Sequence, residues 1–209
     1  MKIYILSLAL VLAALALGAS PASAVTIDFE SLISESGVFQ GPSYSEDGFT
    51  LLADPPGGGL GFVTLGTSDP RFTGSTSLAN FLIGGLTELT LTGGGAFSLD
   101  SIKLAGFNGP AAFDLTFTGD TAGVPVTQTF SLVGTPGGET FTFKGFGNVT
   151  KVSWNQGGVV DNVTAHQFDN IVASANNGNA VPEPASVGLL GLGLAGLALI
   201  RRGVRQQLR

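Results

Sequence analysis

The chain has 209 residues, no cysteine, a single histidine and a formal net charge of −6 at pH 7. The absence of cysteine excludes disulfides, cysteine nucleophiles, zinc–thiolate sites and iron–sulfur clusters, and one histidine excludes a multi-histidine metal site. Residues 25–181 hold fourteen acidic and four basic residues, a net charge of about −10, which argues against binding to nucleic acid.

The N-terminus has the three parts of a secretory signal peptide. Lys2 supplies a positive charge, residues 3–17 are almost entirely apolar, and Ala22-Ser23-Ala24 matches the small-x-small cleavage rule. We therefore predict a signal peptide over residues 1–24, cleaved after Ala24. An N-terminal membrane anchor is disfavoured because the apolar run is short for a bilayer core of about 30 Å.

Residues 25–173 show the period-two alternation of half-buried β-strands. In residues 113–118, for example, phenylalanine and leucine alternate with aspartate and threonine. Strands are predicted at 25–30, 47–53, 60–66, 78–83, 86–92, 96–105, 112–118, 125–133, 139–145, 149–155 and 166–173. Glycine- and proline-rich turns separate them, which predicts one all-β antiparallel β-sandwich. Residues 34–45 are predicted to form a long loop, and residues 174–181 a flexible linker.

The C-terminus combines a short motif, an apolar segment and an arginine cluster. Pro182-Glu183-Pro184 precedes residues 185–200, which are uncharged and apolar or small, and Arg201 and Arg202 follow directly. A helix over 185–200 would rise about 24 Å, slightly less than a typical membrane span. Arginines beside an apolar segment stay cytoplasmic, so the body of the chain is expected on the other side of the membrane.

This order of elements resembles the PEP-CTERM sorting signal. The resemblance implies that the tail, residues 182–209 with an arginine-rich end at 201–209, is recognised by an exosortase-type processing enzyme of exopolysaccharide-producing Gram-negative bacteria. Before processing, the helix at 185–200 would hold the protein in the membrane. The alternative is a permanent single-pass anchor behind a proline-stiffened linker, which has the same topology.

Short motifs of the body resemble a recurrent ectodomain of PEP-CTERM proteins. They are Ile-Asp-Phe-Glu at 27–30, Phe-Ser-Leu-Asp-Ser-Ile at 97–102, a threonine-rich segment at 127–132 and Gln-Phe-Asp-Asn-Ile at 167–171. This ectodomain is similar to jelly-roll carbohydrate-binding modules, which implies a jelly-roll-like β-sandwich.

Jelly-roll modules of this kind often hold a structural Ca²⁺ between the first and last strands. The residues that match those ligands are Glu30 and Asp169. Ca²⁺ takes about six to eight oxygen ligands, so backbone carbonyls and water would complete the site. The alternative is that Asp169 hydrogen-bonds nearby backbone and Glu30 is solvated.

No catalytic motif is evident in the sequence. It lacks a nucleophile elbow, a phosphate-binding glycine-rich loop before a helix and a zinc signature, and no two carboxylates have a spacing informative for a glycosidase. Trp154, the only tryptophan, is predicted to be buried because it shares a strand face with Val152; a sugar-stacking role is the alternative. Tyr44, in the predicted loop, is a weaker candidate for sugar stacking. His166 is predicted to be structural or on the surface.

We therefore expect a non-enzymatic, exported protein of the cell envelope, cell surface or extracellular matrix, with exopolysaccharide as a candidate ligand. The alternative is an extracellular glycan hydrolase. The two functions can be distinguished by the surface of the protein. A hydrolase needs a cleft with at least two convergent polar side chains, whereas a structural module needs none.

Overall fold

The structure, a computed structural model, describes residues 23–33, 35–54, 60–81, 84–108, 112–156 and 165–176. The predicted apolar helix at 185–200, the sorting motif and almost all of the predicted signal peptide lie outside these ranges. Within them, no helix has the length and apolar character needed to cross a membrane.

Thirteen strands and one short 3₁₀ helix, Glu30–Leu32, make up the regular structure of the described residues. The strands are β1 Val25–Ile27, β2 Ser36–Gly41, β3 Ser43–Glu46, β4 Phe49–Asp54, β5 Phe62–Leu65, β6 Ser77–Asn80, β7 Leu86–Leu91, β8 Phe97–Gly106, β9 Ala112–Asp120, β10 Val126–Val133, β11 Glu139–Thr142, β12 Lys151–Asn155 and β13 His166–Ala175.

The strands form two antiparallel sheets. Sheet A has the order β11-β8-β13-β6-β5-β2, with β1 also paired to β13, and sheet B has the order β10-β9-β12-β7-β4-β3. From β7 to β9 and again from β10 to β13, the chain crosses between the sheets at each connection. This topology confirms the predicted antiparallel, jelly-roll-like β-sandwich.

The core lies between the sheets and is rich in aromatic rings. Phe117 and Trp154 of sheet B have ring centroids 5.1 Å apart, and Trp154 meets Phe168 of sheet A at 5.3 Å in an edge-to-face contact. Such pairs contribute about 0.5–1.5 kcal/mol beyond the burial of their area. Trp154 is 2% exposed, which confirms its predicted place in the core.

Residues 34–45, predicted as a loop, contain two strands. Gly37 and Gly41 have φ angles of 67° and 81°, and the pairing of β2 with β5 shifts register twice. These irregularities interrupt the period-two pattern, since a shift in register changes which side chains face the core. Tyr44 therefore lies in β3, half-buried with its ring 5.4 Å from that of Phe29.

The first and last strands differ from the prediction at their ends. β1 ends at Ile27 because Asp28 Oδ1 accepts the backbone N–H of Glu30 at 3.0 Å and Phe29 has a φ of 57°. Glu30 is thus in the 3₁₀ helix and not in a strand. β13 continues to Ala175, two residues into the predicted linker.

Candidate functional site

A groove of about 300 Å³ lies over one end of sheet A. Its wall consists of residues 70–73, the end of β8 at 105–106 with Asn108, the turn at 135–137, and Gln167 of β13. Gln167 and Asp169 alternate with the core residue Phe168 along β13, so their side chains face away from the core. The loop at 66–76 covers this outer side of the sheet.

Arg71 is the cation of the groove, and two neighbours fix its side chain. Its Nε and Nη2 donate to Oδ1 and Oδ2 of Asp69, each at 2.8 Å. The guanidinium carbon lies 4.2 Å from the centroid of the Phe107 ring, a cation–π contact. Among the described residues, the guanidinium donates to Asp69 alone, which leaves Nη1 available to a ligand or solvent.

Local sequence explains how Asp69 and Arg71 meet. Asp69 Oδ1 also accepts the backbone N–H of Arg71 at 2.9 Å, the Asx-turn that aspartate favours two residues before its donor. Pro70 between them has a fixed φ, which restricts the turn further. The hydrogen bonds from the Arg71 side chain, followed by the backbone bond and the positive charge, hold the pKa of Asp69 below its ordinary value despite burial.

The buried side chain of Gln167 links the segments that line the groove. Its Nε2 donates to the backbone carbonyls of Arg71 at 3.0 Å and Gly106 at 3.2 Å, and its Oε1 accepts from Ser77 Oγ at 2.5 Å. One amide therefore joins the 66–76 loop to β6 and β8. Because both ends of the amide are bonded, Gln167 acts as a positioning residue for Arg71.

Asp169 lies beneath the same loop in a second polar cluster. Ser75 Oγ donates to Asp169 Oδ2, Asn170 donates to both carboxylate oxygens at 2.7 and 2.8 Å, and Lys103 Nζ lies 3.6 Å from Oδ2. Asn170 has a φ of 46° at a bulge in β13, which directs its side chain back to Asp169. Burial raises the pKa of Asp169, although the Ser75 and Lys103 contacts oppose the rise.

Glu30 reaches the residue next to Ser75. Its carboxylate accepts the backbone N–H of Thr76 at 2.9 Å and the Thr76 hydroxyl at 3.3 Å. The two carboxylates proposed for Ca²⁺ thus accept hydrogen bonds from adjacent residues of one loop. In the described ranges, no group of three or more acidic or histidine side chains that could hold a metal occurs. Lys103 supplies positive charge beside Asp169. The calcium site stays a prediction.

Two further candidates from the sequence, His166 and Tyr44, lie within the described residues. His166 is fully buried, and Tyr44 has a raised pKa because burial disfavours its ionised form. Pro182, Glu183, Pro184, Arg201 and Arg202 lie outside the described residues. The groove residues Arg71 and Asn108, and Phe107 beneath the Arg71 guanidinium, were missed from the sequence. The signal available was Asp69-Pro70-Arg71, which contains one of only four cations in residues 25–181.

Comparison with known proteins identifies the tail. Residues 180–202 match the PEP-CTERM protein-sorting motif. This match confirms the predicted sorting signal at the C-terminus. No curated protein matches the chain.

Several solved structures are similar to the chain. CBM29_1, a family 29 carbohydrate-binding module from Piromyces equi, has a TM-score of 0.40 and 10% identity over 75% of this chain and 93% of its own. The family 32 module from C. perfringens NanJ, in complex with galactose, has a TM-score of 0.35 and 13% identity over 64% and 97%. A family two carbohydrate esterase from Cellvibrio japonicus has a TM-score of 0.32 and 12% identity over 75% and 35%. Scores this low assign neither a ligand nor a site.

Proposed function

We propose that the protein is an exported, non-enzymatic protein of the cell surface or extracellular matrix whose ectodomain binds polysaccharide in the groove beside Arg71. The sorting motif at 180–202 supports export and processing by an exosortase-type enzyme. The fixed Arg71 guanidinium over the Phe107 ring is the observation that carries the binding proposal.

The chemistry of the groove suits the hydroxyl groups of a sugar. Arg71 Nη1 can donate, and Asn108 and Thr73 offer further donors and acceptors. Pro70 and Pro136 add apolar surface against which the C–H face of a sugar ring can pack. Because Asp69 fixes the guanidinium before a ligand arrives, binding costs little side-chain entropy.

Charge favours a neutral polysaccharide over an acidic one. The carboxylate of Asp69 already compensates the charge of Arg71. The rest of the ectodomain is strongly acidic, with about ten more acidic than basic residues in 25–181, and repels a polyanion. The ligand class that fits is therefore a neutral hexose polymer.

The composition of the groove supports binding over hydrolysis. A glycosidase uses two carboxyl groups about 5–10 Å apart. The described residues that line the groove contain no aspartate, glutamate or histidine, and the neighbouring Asp69 is bonded to Arg71.

A glycan array of purified residues 25–176 tests the binding proposal. Wild-type protein should bind neutral polysaccharides, and Arg71→Ala should weaken binding about tenfold or more, since it removes both the donor and the ring contact. Lys144→Ala is the matched control, because Lys144 is exposed and does not line the groove. Equal binding by wild type and Arg71→Ala would refute the site.

Intact-mass analysis in the native host tests the sorting proposal. Mature protein should begin at Val25 and lack the apolar segment at 185–200. Replacement of Pro182-Glu183-Pro184 by alanines should leave that segment attached. Retention of residues 185–209 in all mature wild-type protein would support the permanent-anchor alternative.

A further inference from the structure

The core of the sandwich ends in a buried layer of polar side chains. Asn80 of β6, Thr87 of β7, Gln156 after β12 and His166 of β13 are 1%, 0%, 3% and 0% exposed. We call these four residues, with the indole of Trp154, the polar layer. Buried polar groups persist in proteins where hydrogen bonds satisfy them, so each group of the layer needs a partner.

Several contacts hold the polar layer in a fixed geometry. Asn80 Nδ2 donates to Thr87 Oγ1 at 3.3 Å and to the carbonyl of Leu86 at 3.2 Å. Gln156 Nε2 donates to the carbonyl of His166 at 2.9 Å, and the Gln156 backbone N–H donates to Gly85 at 2.8 Å. The layer therefore joins strands of both sheets.

Trp154 and Gln156 each contribute one polar side-chain atom that has no hydrogen-bond partner among the described residues. These atoms are Nε1 of Trp154, which is a donor only, and Oε1 of Gln156, which is an acceptor only. Gln156 directly follows β12, and its backbone N–H still donates to the carbonyl of Gly85 next to β7. If the alternation of the strand continues to Gln156, its side chain and that of Trp154 lie on the same side of the chain. Both residues are more than nine-tenths buried.

We infer that the polar layer binds one hydroxyl group that bridges Trp154 Nε1 and Gln156 Oε1. A hydroxyl oxygen accepts from the indole N–H and donates its own hydrogen to the amide oxygen, so it satisfies both atoms. A carbonyl or carboxylate would leave Gln156 Oε1 without a donor, and an ammonium would leave Trp154 Nε1 without an acceptor. The hydroxyl comes from a buried water molecule or from a small polyol or sugar.

The single tryptophan provides a direct spectroscopic test. The full chain, solubilised in detergent and labelled with ¹⁵N only in tryptophan, gives one indole Nε1–H resonance from Trp154. A nuclear Overhauser effect from water to this proton, distinguished from chemical exchange by its sign, identifies a bound water. A saturable shift of the resonance with glycerol or D-glucose, with the same buffer lacking both compounds as the reference, identifies a polyol or sugar. If the proton shows neither effect, the inference is wrong.

A double-mutant cycle tests the bridge itself. Trp154→Phe keeps an aromatic ring and removes Nε1–H, and Gln156→Leu removes Oε1. If one hydroxyl joins the two groups, the double variant should differ from additivity by about tenfold in the unfolding equilibrium constant.

Trp154→Phe combined with Thr87→Val is the matched control pair. Thr87 lies opposite Trp154 in the register of β7 and β12, but its hydroxyl is bonded to Asn80. This pair should be close to additive. Equal coupling in both pairs would indicate packing alone and would overturn the bridge, and the resonance test on wild-type protein applies even if a variant does not fold.

Discussion

Asp69 and Asp169 both lie on the outer side of sheet A, beside a cation, and their side chains are 4% and 2% exposed. Their pKa values nevertheless move in opposite directions. Asp69 accepts two 2.8 Å hydrogen bonds from one guanidinium, whereas Asp169 has only the Lys103 ammonium at 3.6 Å and otherwise neutral donors. For Asp69 the hydrogen bonds from the guanidinium outweigh the effect of burial on the pKa, whereas for Asp169 burial is the largest effect and the Ser75 and Lys103 contacts only oppose it.

The difference separates the binding role proposed for Arg71 from a structural role for Asp169. Asp69 fixes a guanidinium that is 28% exposed and lines the groove, where the proposed ligand would meet a fixed donor. Asp169 is surrounded by Ser75, Lys103 and Asn170 and joins the bulge of β13 to the 66–76 loop. We expect changes at Asp169 to affect stability and changes at Arg71 to affect binding.

The largest expected effect is the loss of stability in Asp169→Ala. The change removes the anion beside the Lys103 ammonium and the acceptor of the Ser75 hydroxyl. Breaking a buried charged pair costs about 3–5 kcal/mol. Urea denaturation of residues 25–176 measures the difference. Asp114→Ala, which removes an exposed carboxylate bonded to Ser131, is the control and should change stability by less than about 0.5 kcal/mol. A similar effect for both variants would contradict the structural role of Asp169.

Calcium binding at Glu30 and Asp169 would produce the next largest effect. A ligand that binds only the folded protein stabilises it by about 2.7 kcal/mol at a hundredfold excess over its Kd. Calcium should then raise the melting temperature of wild-type protein, and Glu30→Gln or Asp169→Asn should remove most of the rise.

Lys103→Met sharpens the calcium experiment. If the ammonium and calcium are alternative counterions for Asp169, the calcium-dependent rise should be larger in this variant than in wild type. A melting temperature that EDTA and calcium leave unchanged in both proteins would exclude the metal.

Replacement of Arg71 by lysine should have a smaller effect, mainly on binding. Lysine keeps the charge but cannot form the bidentate contact with Asp69 or stack a planar group on Phe107. Polysaccharide affinity, measured by isothermal titration calorimetry, should fall about tenfold, while the melting temperature should fall by less than in Asp169→Ala because lysine keeps a positive charge beside Asp69. Unchanged affinity would show that charge alone suffices and that the fixed geometry of Arg71 is not used.

The sequence predicted the fold better than the groove, for a physical reason. Alternation within a strand is a local property, so the strands with regular pleats, such as β9 and β10, could be recognised from it. β2 could not, because Gly37 and Gly41 adopt left-handed φ angles and its pairing shifts register. Trp154 was placed in the core by the same local rule.

Site contacts depend on tertiary structure and could be predicted only in part. The motifs around Glu30 and Asp169 could be recognised, but their partners Thr76 and Ser75 lie 46 and 94 residues away in the chain. Arg71 and Gln167 both line the groove and are hydrogen-bonded, although they are 96 residues apart in the chain. No pattern in one sequence indicates which distant loop covers the outer side of a sheet.

The last prediction concerns the pH dependence of stability, where the two aspartates should act with opposite signs. The ordinary pKa of an aspartate is about 3.9. Because the folded-state pKa of Asp69 is lowered, its contribution is fully present above the unfolded-state pKa and is lost as the pH falls through the folded-state pKa. Because the folded-state pKa of Asp169 is raised, its contribution is fully present below the unfolded-state pKa and is lost as the pH rises through the folded-state pKa.

Asp69→Asn and Asp169→Asn separate these contributions, since every other titrating group cancels when a variant is compared with wild type. Between pH 3 and 7, the stability of wild type relative to Asp69→Asn should increase with pH. The stability of wild type relative to Asp169→Asn should decrease over the same range. Chemical denaturation at a series of pH values measures both differences. Slopes of the same sign would mean that the 2.8 Å guanidinium contacts and the 3.6 Å ammonium contact have equivalent electrostatic effects, contrary to the comparison drawn between the two pairs.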